Sequence, residues 1–371
     1  MSKPALTVLH SDAIIELYYT LYPFLISELA HKKINFVYFK PNKLKDLKGK
    51  HVLFTRIFKG RFDDQKFVNS TIDQLQSSFN NVFFLDDSAG ADSTHFEFIK
   101  KLDGYYKAKL LTDKNTYKES LYGRQVFSDY YHQNYKVFDG ETENIRKPVD
   151  NFEEVDKLKP AFNLGYGWYP KPGVHSPIRY LGYFLKEVDN FQLMRPFFLR
   201  RHKQLINKLG EKVHLDRKIP KVSARFRFES YPNTIGYQRL LFEQIIHGNS
   251  NFLTGIIPQH EYLNELRKTF ATLSPFGYGE VCVRDFECII NGSLLIKPDM
   301  SHLVTKPDIY KPNETYIPFK WDGSDLLDVV DNILTNPTKY YPIVENARSV
   351  YRKSLIDMNQ EFMTTFGNLL D

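Results

Sequence analysis

The stretch of sequence that decides the fold runs from Ser274 to His302 and reads SPFGYGEVCVRDFECIINGSLLIKPDMSH. A loop with two glycines opens it, and helix-compatible sequence follows from Glu280 to Ile290. Asn291-Gly292 predicts the end of this helix, because glycine readily adopts the backbone conformation that closes a helix. Ser293 to Ile296 then predicts a short buried strand. Loop, helix, glycine stop and strand together predict half of an α/β nucleotide-binding unit.

The side chains of this stretch suit a phosphorylated ligand. Gly277 and Gly279 let the backbone approach a ligand closely, and the helix N-terminus that follows offers free N–H groups to phosphate. Arg284, one turn into the helix, could add a bidentate contact. Glu280 and Glu287 lie two turns apart on nearly the same face, where a carboxylate could accept the hydroxyls of a ribose or sugar. The alternative is structural, a glycine loop and an Arg284–Glu287 surface ion pair, since neither a Walker A nor a Rossmann fingerprint is present.

The first half of the chain alternates strands and helices, an order typical of a doubly wound domain whose ligands bind at the carboxyl ends of the strands. Residues 112–160 are polar and rich in tyrosine and show no clear period. The predicted strands are Ala5 to Leu9, Ile34 to Phe39, His51 to Arg56 and Val82 to Leu85. Helical patterns cover Ala13 to Leu29 and Phe67 to Phe79, and Phe96 to Leu110 continues the alternation.

The second half repeats this alternation after a seam of glycine, proline and aromatic residues from Phe162 to Pro177, a composition typical of a connector. Residues 178–209 have helical spacing that Pro196 interrupts. Two doubly wound domains that face one another are therefore predicted. The predicted strands are Val222 to Phe228, Asn251 to Ile257 and Tyr316 to Phe319. The predicted helices are Gly236 to Ile246, Gln259 to Thr269, Ser324 to Leu334 and a terminal region from Pro342 to Leu369.

Composition agrees with two globular domains and narrows the ligands. The 371 residues exceed the usual size of a single core, and 42% are hydrophobic. The net charge of +6 suits small anionic molecules or an anionic membrane surface. No Lys/Arg run is longer than two or three residues, so nucleic acid is not expected as a partner.

The two cysteines and the hydropathy pattern predict a cytoplasmic location. Cys282 and Cys288 lie six residues apart inside one predicted helix, too close and too badly oriented for a disulfide. No Cys/His spacing indicates zinc. No apolar run approaches the length of a membrane span, and no secretion signal opens the chain, so only peripheral contact with a membrane is left open.

The stretch from Ser274 to Ile296 resembles the donor-binding segment of the group 1 and exostosin-like glycosyltransferases. The resemblance covers mainly residues 220–335, including Phe319 to Asp322 before a predicted helix. In that superfamily a glycine-containing loop leads to a helix whose glutamate holds the ribose of a nucleotide sugar. A glycine then precedes a short strand, here Leu294 to Ile296. The resemblance implies that Glu287 is the ribose carboxylate.

The same resemblance implies that Glu280 contacts the transferred sugar, although the spacing to Glu287 is one residue shorter than is usual in the family. It also implies the GT-B fold, an α/β architecture of two facing Rossmann-like doubly wound domains with a C-terminal helix that crosses back to the first. The boundaries that follow are residues 1–175 for an acceptor-binding domain and 176–220 for a connector and helix. The donor-binding domain then covers residues 221–345, and the crossing helix covers residues 346–371.

Further donor contacts are expected around this segment. In the GT-B fold the donor pyrophosphate is often neutralised by Arg or Lys rather than by a metal, so no metal is expected here. One or two of the cations Arg225, Arg227, Arg239 and Lys268 should neutralise it. His302 follows the short strand at its carboxyl end and could contact the donor or belong to a plain turn. The full expected set of donor-binding residues is Arg225, Arg227, Arg239, Lys268, Gly277, Tyr278, Gly279, Glu280, Arg284, Glu287 and His302.

The catalytic candidates lie after predicted strands of the first domain. An inverting transfer needs a general base near the acceptor hydroxyl, whereas a retaining transfer needs charge stabilisation or a carboxylate nucleophile. His10, Asp12, Asp86 and Asp87 stand at suitable places, and Asp12 and Asp87 are the preferred candidates for the base. The alternative for each is a capping or surface role.

These observations predict a glycosyltransferase that moves a sugar from a nucleotide-sugar donor to a glycan or lipid-linked glycan acceptor. Surface polysaccharide or glycoconjugate biosynthesis, in the cytoplasm or at the inner face of the membrane, is the expected setting, with no cofactor other than the nucleotide-sugar substrate. Two alternatives stay open. One is another nucleotide-sugar enzyme on this scaffold, such as an epimerase or a phosphorylase, and the other is a non-catalytic glycan- or nucleotide-binding protein.

Overall fold

The computed structural model describes residues 4–11, 19–28, 30–92, 95–123, 125–140, 145–146, 148–149, 152–167, 193, 195–229 and 231–371. Asp12, residues 13–18 and 29 of the predicted helix from Ala13 to Leu29, and half of residues 178–209 lie outside these ranges. Within them, no helix is long and apolar enough to cross a membrane.

The first domain is built on a sheet of six parallel strands in the spatial order β2-β1-β3-β4-β5-β9. These strands are β1 (Leu6–His10), β2 (Ile34–Tyr38), β3 (Gly49–Phe54), β4 (Phe79–Asp86), β5 (Gly104–Lys107) and β9 (Leu158–Pro160). Short strands β6 (Lys109–Leu111), β7 (Leu121–Tyr122) and β8 (Ile145–Arg146) lie outside this sheet. The helices are α1 (Tyr22–Ile26), α2 (Ala30–Lys33), α3 (Gln65–Ser78) and α4 (Val126–Tyr135).

The second domain contains a sheet of five parallel strands in the order β11-β10-β12-β13-β15. They are β10 (Ile219–Ser223), β11 (Phe252–Leu253), β12 (Thr269–Leu273), β13 (Leu294–Pro298) and β15 (Ile317–Phe319), and β14 (Leu303–Thr305) lies apart. Helix α5 (Arg195–Gly210) precedes the sheet. The further helices are α6 (Asn233–Ile246), α7 (Gln259–Lys268), α8 (Val283–Ile290), α9 (Leu326–Thr335), α10 (Tyr341–Ile356) and α11 (Met358–Phe366).

The strands are buried on both faces, which explains their nearly continuous apolar sequences. Leu53, Phe54 and Phe84 in the first sheet and Leu273 and Ile296 in the second are all at most 2% exposed. A parallel sheet needs helices on both faces, so its strands lack the alternation of an antiparallel sheet with one face in water. Local apolar runs therefore indicated eight strands of the two sheets, whereas β9 and β12 have no counterpart among the predicted strands.

Two features join the domains. Strand β6 of the first domain pairs with β14 of the second in an antiparallel ladder, with Leu303 opposite Leu111. At the end of the chain, α11 crosses back and packs its phenylalanines on Phe24 of α1, with ring centroids 5.0 Å from Phe362 and 4.7 Å from Phe366. The predicted GT-B class, two facing doubly wound domains with a crossing C-terminal helix, is thus confirmed.

Several predicted boundaries are corrected. Strand β10 ends at Ser223, so Arg225 and Arg227 lie in the loop beyond it and not on the strand. Helix α8 begins at Val283 instead of Glu280, because Cys282 is its N-cap. The backbone N–H of Cys282 donates a hydrogen bond to the Asp285 carboxylate at 2.9 Å. Pro196 lies in the first turn of α5 and does not interrupt it; a proline is tolerated there because the N–H it lacks would have no partner inside the helix.

Candidate functional site

A cleft of about 1650 Å³ separates the two domains. One wall is formed by residues that follow β3, β4 and β5, and the other by residues that follow β10, β11 and β12. The carboxyl ends of both parallel sheets thus open into the same space, which is the usual ligand position in doubly wound domains.

The glycine loop between β12 and α8 forms the closest approach between the walls. A Cβ atom on Gly279 would lie 1.8 Å from the carbonyl oxygen of Ala89 in the first domain. A Cβ on Gly277 would come within 3.3 Å of Nη2 of Arg239. Both glycines are therefore needed for close packing, the first between domains and the second beside a guanidinium group.

A buried ion pair anchors the beginning of α8. The Asp285 carboxylate accepts hydrogen bonds from Ser274 Oγ at 2.5 Å and Tyr310 OH at 2.7 Å, and lies 3.1 Å from Nζ of Lys297. Asp285 and Lys297 are fully buried. Sequence reasoning missed this pair, although an acidic residue at the third helical position is a recognisable capping signal.

Arg284 and Glu287 project from α8 into the cleft. Nη2 of Arg284 donates to the Arg225 carbonyl at 2.7 Å, whereas its Nε and Nη1 atoms have no hydrogen-bond partner among the described residues. Glu287 accepts a hydrogen bond from Gln259 Nε2 at 2.9 Å. Burial raises the pKa of Glu287, and the nearby Arg284 opposes this only in part.

The remaining arginines of this wall differ in how many of their N–H groups are hydrogen-bonded inside the protein. Arg225 forms a bidentate pair with Glu265, at 3.1 and 2.6 Å, so its charge is already balanced. Arg239 donates to the carbonyls of Phe276 at 2.6 Å and Arg227 at 2.9 Å, and burial lowers its pKa. In the described part of the chain, the exposed Arg227 guanidinium has no hydrogen-bond partner, and neither has Nη2 of Arg239.

Three further candidates for donor binding, Glu280, His302 and Lys268, do not line the cleft, whereas a fourth, Tyr278, does. Glu280 is fully buried behind the wall, 3.9 Å from Nε2 of His302, and neither residue lines the cleft. Burial opposes the ionisation of Glu280, but His302 and Lys109 overcome this and lower its pKa. Lys268 lies at the end of α7 in a separate depression. Tyr278, 51% exposed, lines the cleft beside Tyr231.

On the first-domain wall, Asp87 accepts hydrogen bonds from Arg56 Nε at 2.7 Å and from Thr20 Oγ1. Its neighbour Asp86 is buried beneath the wall and paired with Lys107 at 2.9 Å. Burial favours the neutral form of Asp86, yet Lys107 outweighs it, and the pKa falls well below its ordinary value. Of the two preferred candidates for the base, Asp87 therefore lines the cleft, and Asp12 lies outside the described residues.

Two first-domain residues at the cleft had no signal in the sequence. Lys109 on β6 is only 4% exposed, and burial lowers its pKa to about 8 despite the neighbouring Glu280. Gln125 crosses between the domains and donates to the Tyr278 carbonyl. Both residues take their place at the cleft from long-range contacts between the domains, which no local sequence pattern reveals.

The fold and the cleft define a two-domain α/β protein of the GT-B class, with an arginine-rich wall opposite a wall that contains a carboxylate. No protein-family model and no curated protein sequence matches the chain.

Solved structures share the fold at low identity. An alpha-glucosyltransferase in complex with UDP is 9% identical, with a TM-score of 0.45 and 98% of both chains covered. A glycosyltransferase from Rickettsia africae ESF-5 is 11% identical, with a TM-score of 0.45 and full coverage of both chains. Sucrose-phosphate synthase from Thermosynechococcus elongatus is 10% identical, with a TM-score of 0.46 and coverage of 98% of this chain and 99% of its own. Scores and identities this low carry no argument about activity.

Proposed function

We propose that the chain is a glycosyltransferase that binds a nucleotide sugar on its second domain and transfers the sugar to an acceptor held by the first. One observation carries the proposal. Several arginine side chains and the Glu287 carboxylate converge beside a glycine loop at the N-terminus of α8, inside an interdomain cleft.

The diphosphate of the donor fits the arginine side of this wall. Arg227, Arg239 and Arg284 line the cleft, and the N-terminus of α8 adds the positive end of its helix dipole. Guanidinium groups bind phosphate through paired hydrogen bonds. This set would balance the diphosphate charge without a metal, whereas Arg225 already has Glu265 as its partner.

The ribose fits Glu287. Its carboxylate lies one turn beyond Arg284 and is held by Gln259. A carboxylate with one fixed hydrogen bond still has lone pairs for the two hydroxyls of a ribose. Glu280 has no access to the cleft in this conformation, so a contact between Glu280 and the transferred sugar would require a movement of the loop.

The acceptor would lie against the first-domain wall, with Asp87 as the candidate base. In the transfer, the bond between the anomeric carbon and the diphosphate oxygen breaks, and the acceptor oxygen bonds to the carbon. The acceptor proton passes to the base. Asp87 lines the cleft, although its contacts to Arg56 and Thr20 must leave one oxygen lone pair for that proton. We further propose that the acceptor is a glycan or a lipid-linked glycan, and that the protein acts in the cytoplasm at the inner face of the membrane.

The experiment is calorimetric titration with UDP-, GDP-, CMP- and TDP-sugars of the wild type, Glu287→Ala and the surface control Glu345→Ala. Glu345 is an exposed carboxylate on α10 of the same domain. We expect one nucleotide class to bind the wild type and the control equally, and Glu287→Ala at least about tenfold more weakly. No binding to the wild type would refute the enzyme hypothesis, and equal binding by Glu287→Ala would remove this residue from the site.

Product analysis separates the alternatives. A transferase releases nucleoside diphosphate in the presence of acceptor and loses turnover in Asp87→Asn with donor affinity kept. An epimerase would return a changed sugar still attached to the nucleotide. A binding protein would return the donor intact, and the transferase assignment would then be wrong.

A further inference from the structure

A second cavity of about 330 Å³ lies at the opposite edge of the second domain from the cleft. It is formed by the last residues of α5, α7 and α8 and by the loop before β10. The strands of the second sheet begin at this edge and end at the cleft. Helix α7 has Gln259 at the cleft and Lys268 at this depression, about 13.5 Å apart along its axis.

The depression lies beside a strongly basic segment of the chain. Residues 195–221 contain nine Lys or Arg and two Asp or Glu, a net charge of +7, whereas the whole chain carries +6. The rest of the protein is therefore nearly neutral. Around the depression itself stand seven Lys or Arg and one acid, Glu211.

Part of this charge serves the fold. Three helices end here and leave carbonyl groups without partners inside the helix. Arg348 donates to the carbonyls of Ile289, Ile290, Lys208, Leu209 and Glu211, and Lys218 donates to those of Leu266, Arg267 and Thr269. The buried Arg348 and the half-buried Lys218 therefore already donate to carbonyl groups at all three helix ends.

Other cations remain without such a task. Lys212, Arg217 and Lys268 are exposed, line the depression and have no side-chain hydrogen bond or ion pair to any described residue. Asn291 at the floor accepts hydrogen bonds from Lys208 Nζ at 3.1 Å and Arg267 Nε at 3.2 Å, which hold two more cations at the rim. Like charges gathered in a concavity repel one another, and an anion would relieve this repulsion.

We propose that this depression binds a compact anion bearing phosphate groups and no nucleobase, such as pyrophosphate or a sugar phosphate. The cations come from three separate segments and converge on one concavity of small-molecule size. Apart from the His214 imidazole, no aromatic side chain of the described residues lines it, so a base would find no surface for stacking. Its apolar lining is limited to Val213 and Ile290, neither of them exposed, which disfavours insertion into a lipid surface.

The test uses the full chain and a charge-matched control. The variant Lys212→Gln/Arg217→Gln/Lys268→Gln removes the three unpaired cations, and Lys43→Gln/Lys311→Gln/Lys320→Gln removes three exposed cations elsewhere. Pyrophosphate and glucose 6-phosphate are titrated calorimetrically into each protein. Because pyrophosphate can also enter the cleft, we expect two sites in the wild type and the control, and one in the depression variant. The glucose 6-phosphate affinity of the depression variant should fall about tenfold.

Unchanged stoichiometry and affinity in the depression variant would overturn the proposal, as would equal losses in both variants, which indicate bulk charge alone. Vesicles of phosphatidylglycerol and short duplex DNA are the competing ligands. If either binds through the three cations while pyrophosphate and glucose 6-phosphate do not, the surface recognises a membrane or nucleic acid, and the proposal is wrong. Equal melting temperatures of the two variants exclude misfolding as the cause.

Discussion

Glu287 and Asp285 lie two residues apart on α8 and differ in whether their roles can be predicted from the sequence. Glu287 is predicted as a ribose-binding carboxylate from its place on the helix after the glycine loop and from the family resemblance, and the structure brings it to the cleft together with Arg284. Asp285 was not singled out, because its importance depends on Lys297 and Tyr310, distant in sequence and adjacent only after folding. A binding motif can be recognised from residues that are close in sequence, whereas the partners of a buried polar side chain are distant in sequence and become visible only in the fold.

Replacement of Glu287 by glutamine should separate stability from binding. Burial raises the pKa of Glu287, so the protonated form is favoured in the fold. Its ionisation opposes stability at pH values above that raised pKa, and the opposition disappears as the pH falls below it. We therefore expect Glu287→Gln to melt at the same or a higher temperature at pH 7, while nucleotide-sugar affinity falls about tenfold. A lower melting temperature with full affinity would contradict this.

Asp92 should govern part of the pH dependence of stability. It is 1% exposed, and burial, followed by Glu280, raises its pKa to about 7, against the pull of Arg146. Between about pH 4 and pH 7 the folded state therefore holds a proton that the unfolded state has lost, so this contribution to stability falls as the pH rises through that window. In Asp92→Asn the melting temperature should depend less on pH from 4 to 7. An unchanged pH profile would show that Asp92 is ionised throughout.

At the scale of elements, segments with a clear apolar or amphipathic pattern were predictable, and segments without such a pattern were not. Strand β13 and helices α3, α7 and α9 were located within a few residues. Helix α4 and strand β9 fall in the region that has no clear period. Tyr131 of α4 donates to the Trp321 carbonyl and accepts from Gln238 at 2.8 Å, so partners in the second domain stabilise this helix and its own pattern does not announce it.

The loop before α8 should tolerate no side chain at Gly279. A Cβ would meet the Ala89 carbonyl oxygen at 1.8 Å, and this oxygen belongs to backbone that cannot turn aside as a side chain can. Gly279→Ala is expected to lower the free energy of unfolding by about 1–3 kcal/mol and to weaken donor binding. In the control Gly367→Ala, the nearest atom is the flexible Met363 Cε at 3.2 Å, so denaturant unfolding should show a smaller loss. Equal effects would mean that the walls separate easily.

At the scale of the whole molecule, two facing doubly wound domains could be predicted from the repeated alternation of strands and helices. The core could not, because one continuous cluster includes Leu6 and Phe24 of the first domain, Phe276 and Leu295 of the second, and Phe362 of the crossing helix. Which side chains meet across a domain boundary depends on the packing angle of the domains, and a linear pattern contains no such information.

The crossing helix should contribute strongly to the stability of the whole chain. Phe362 is fully buried between Phe24 and Phe366. Phe362→Ala should lower the free energy of unfolding by about 3–5 kcal/mol. The control Ile356→Ala changes a side chain that is 51% exposed and should stay within about 0.5 kcal/mol. Denaturant titration measures both, and similar values would mean that the crossing helix is loosely attached.

The ladder between β6 and β14 has a consequence for protein engineering. Strand β6 of the first domain and β14 of the second are each other's hydrogen-bonding partners. A cut at the connector therefore leaves one strand without its partner in each domain. A chimera that exchanges the second domain for that of another enzyme would present β14 to a foreign β6 and leave its backbone N–H and C=O groups to find new partners. A chimera with an exchanged second domain should therefore keep the native stability only when residues 109–111 are exchanged together with that domain.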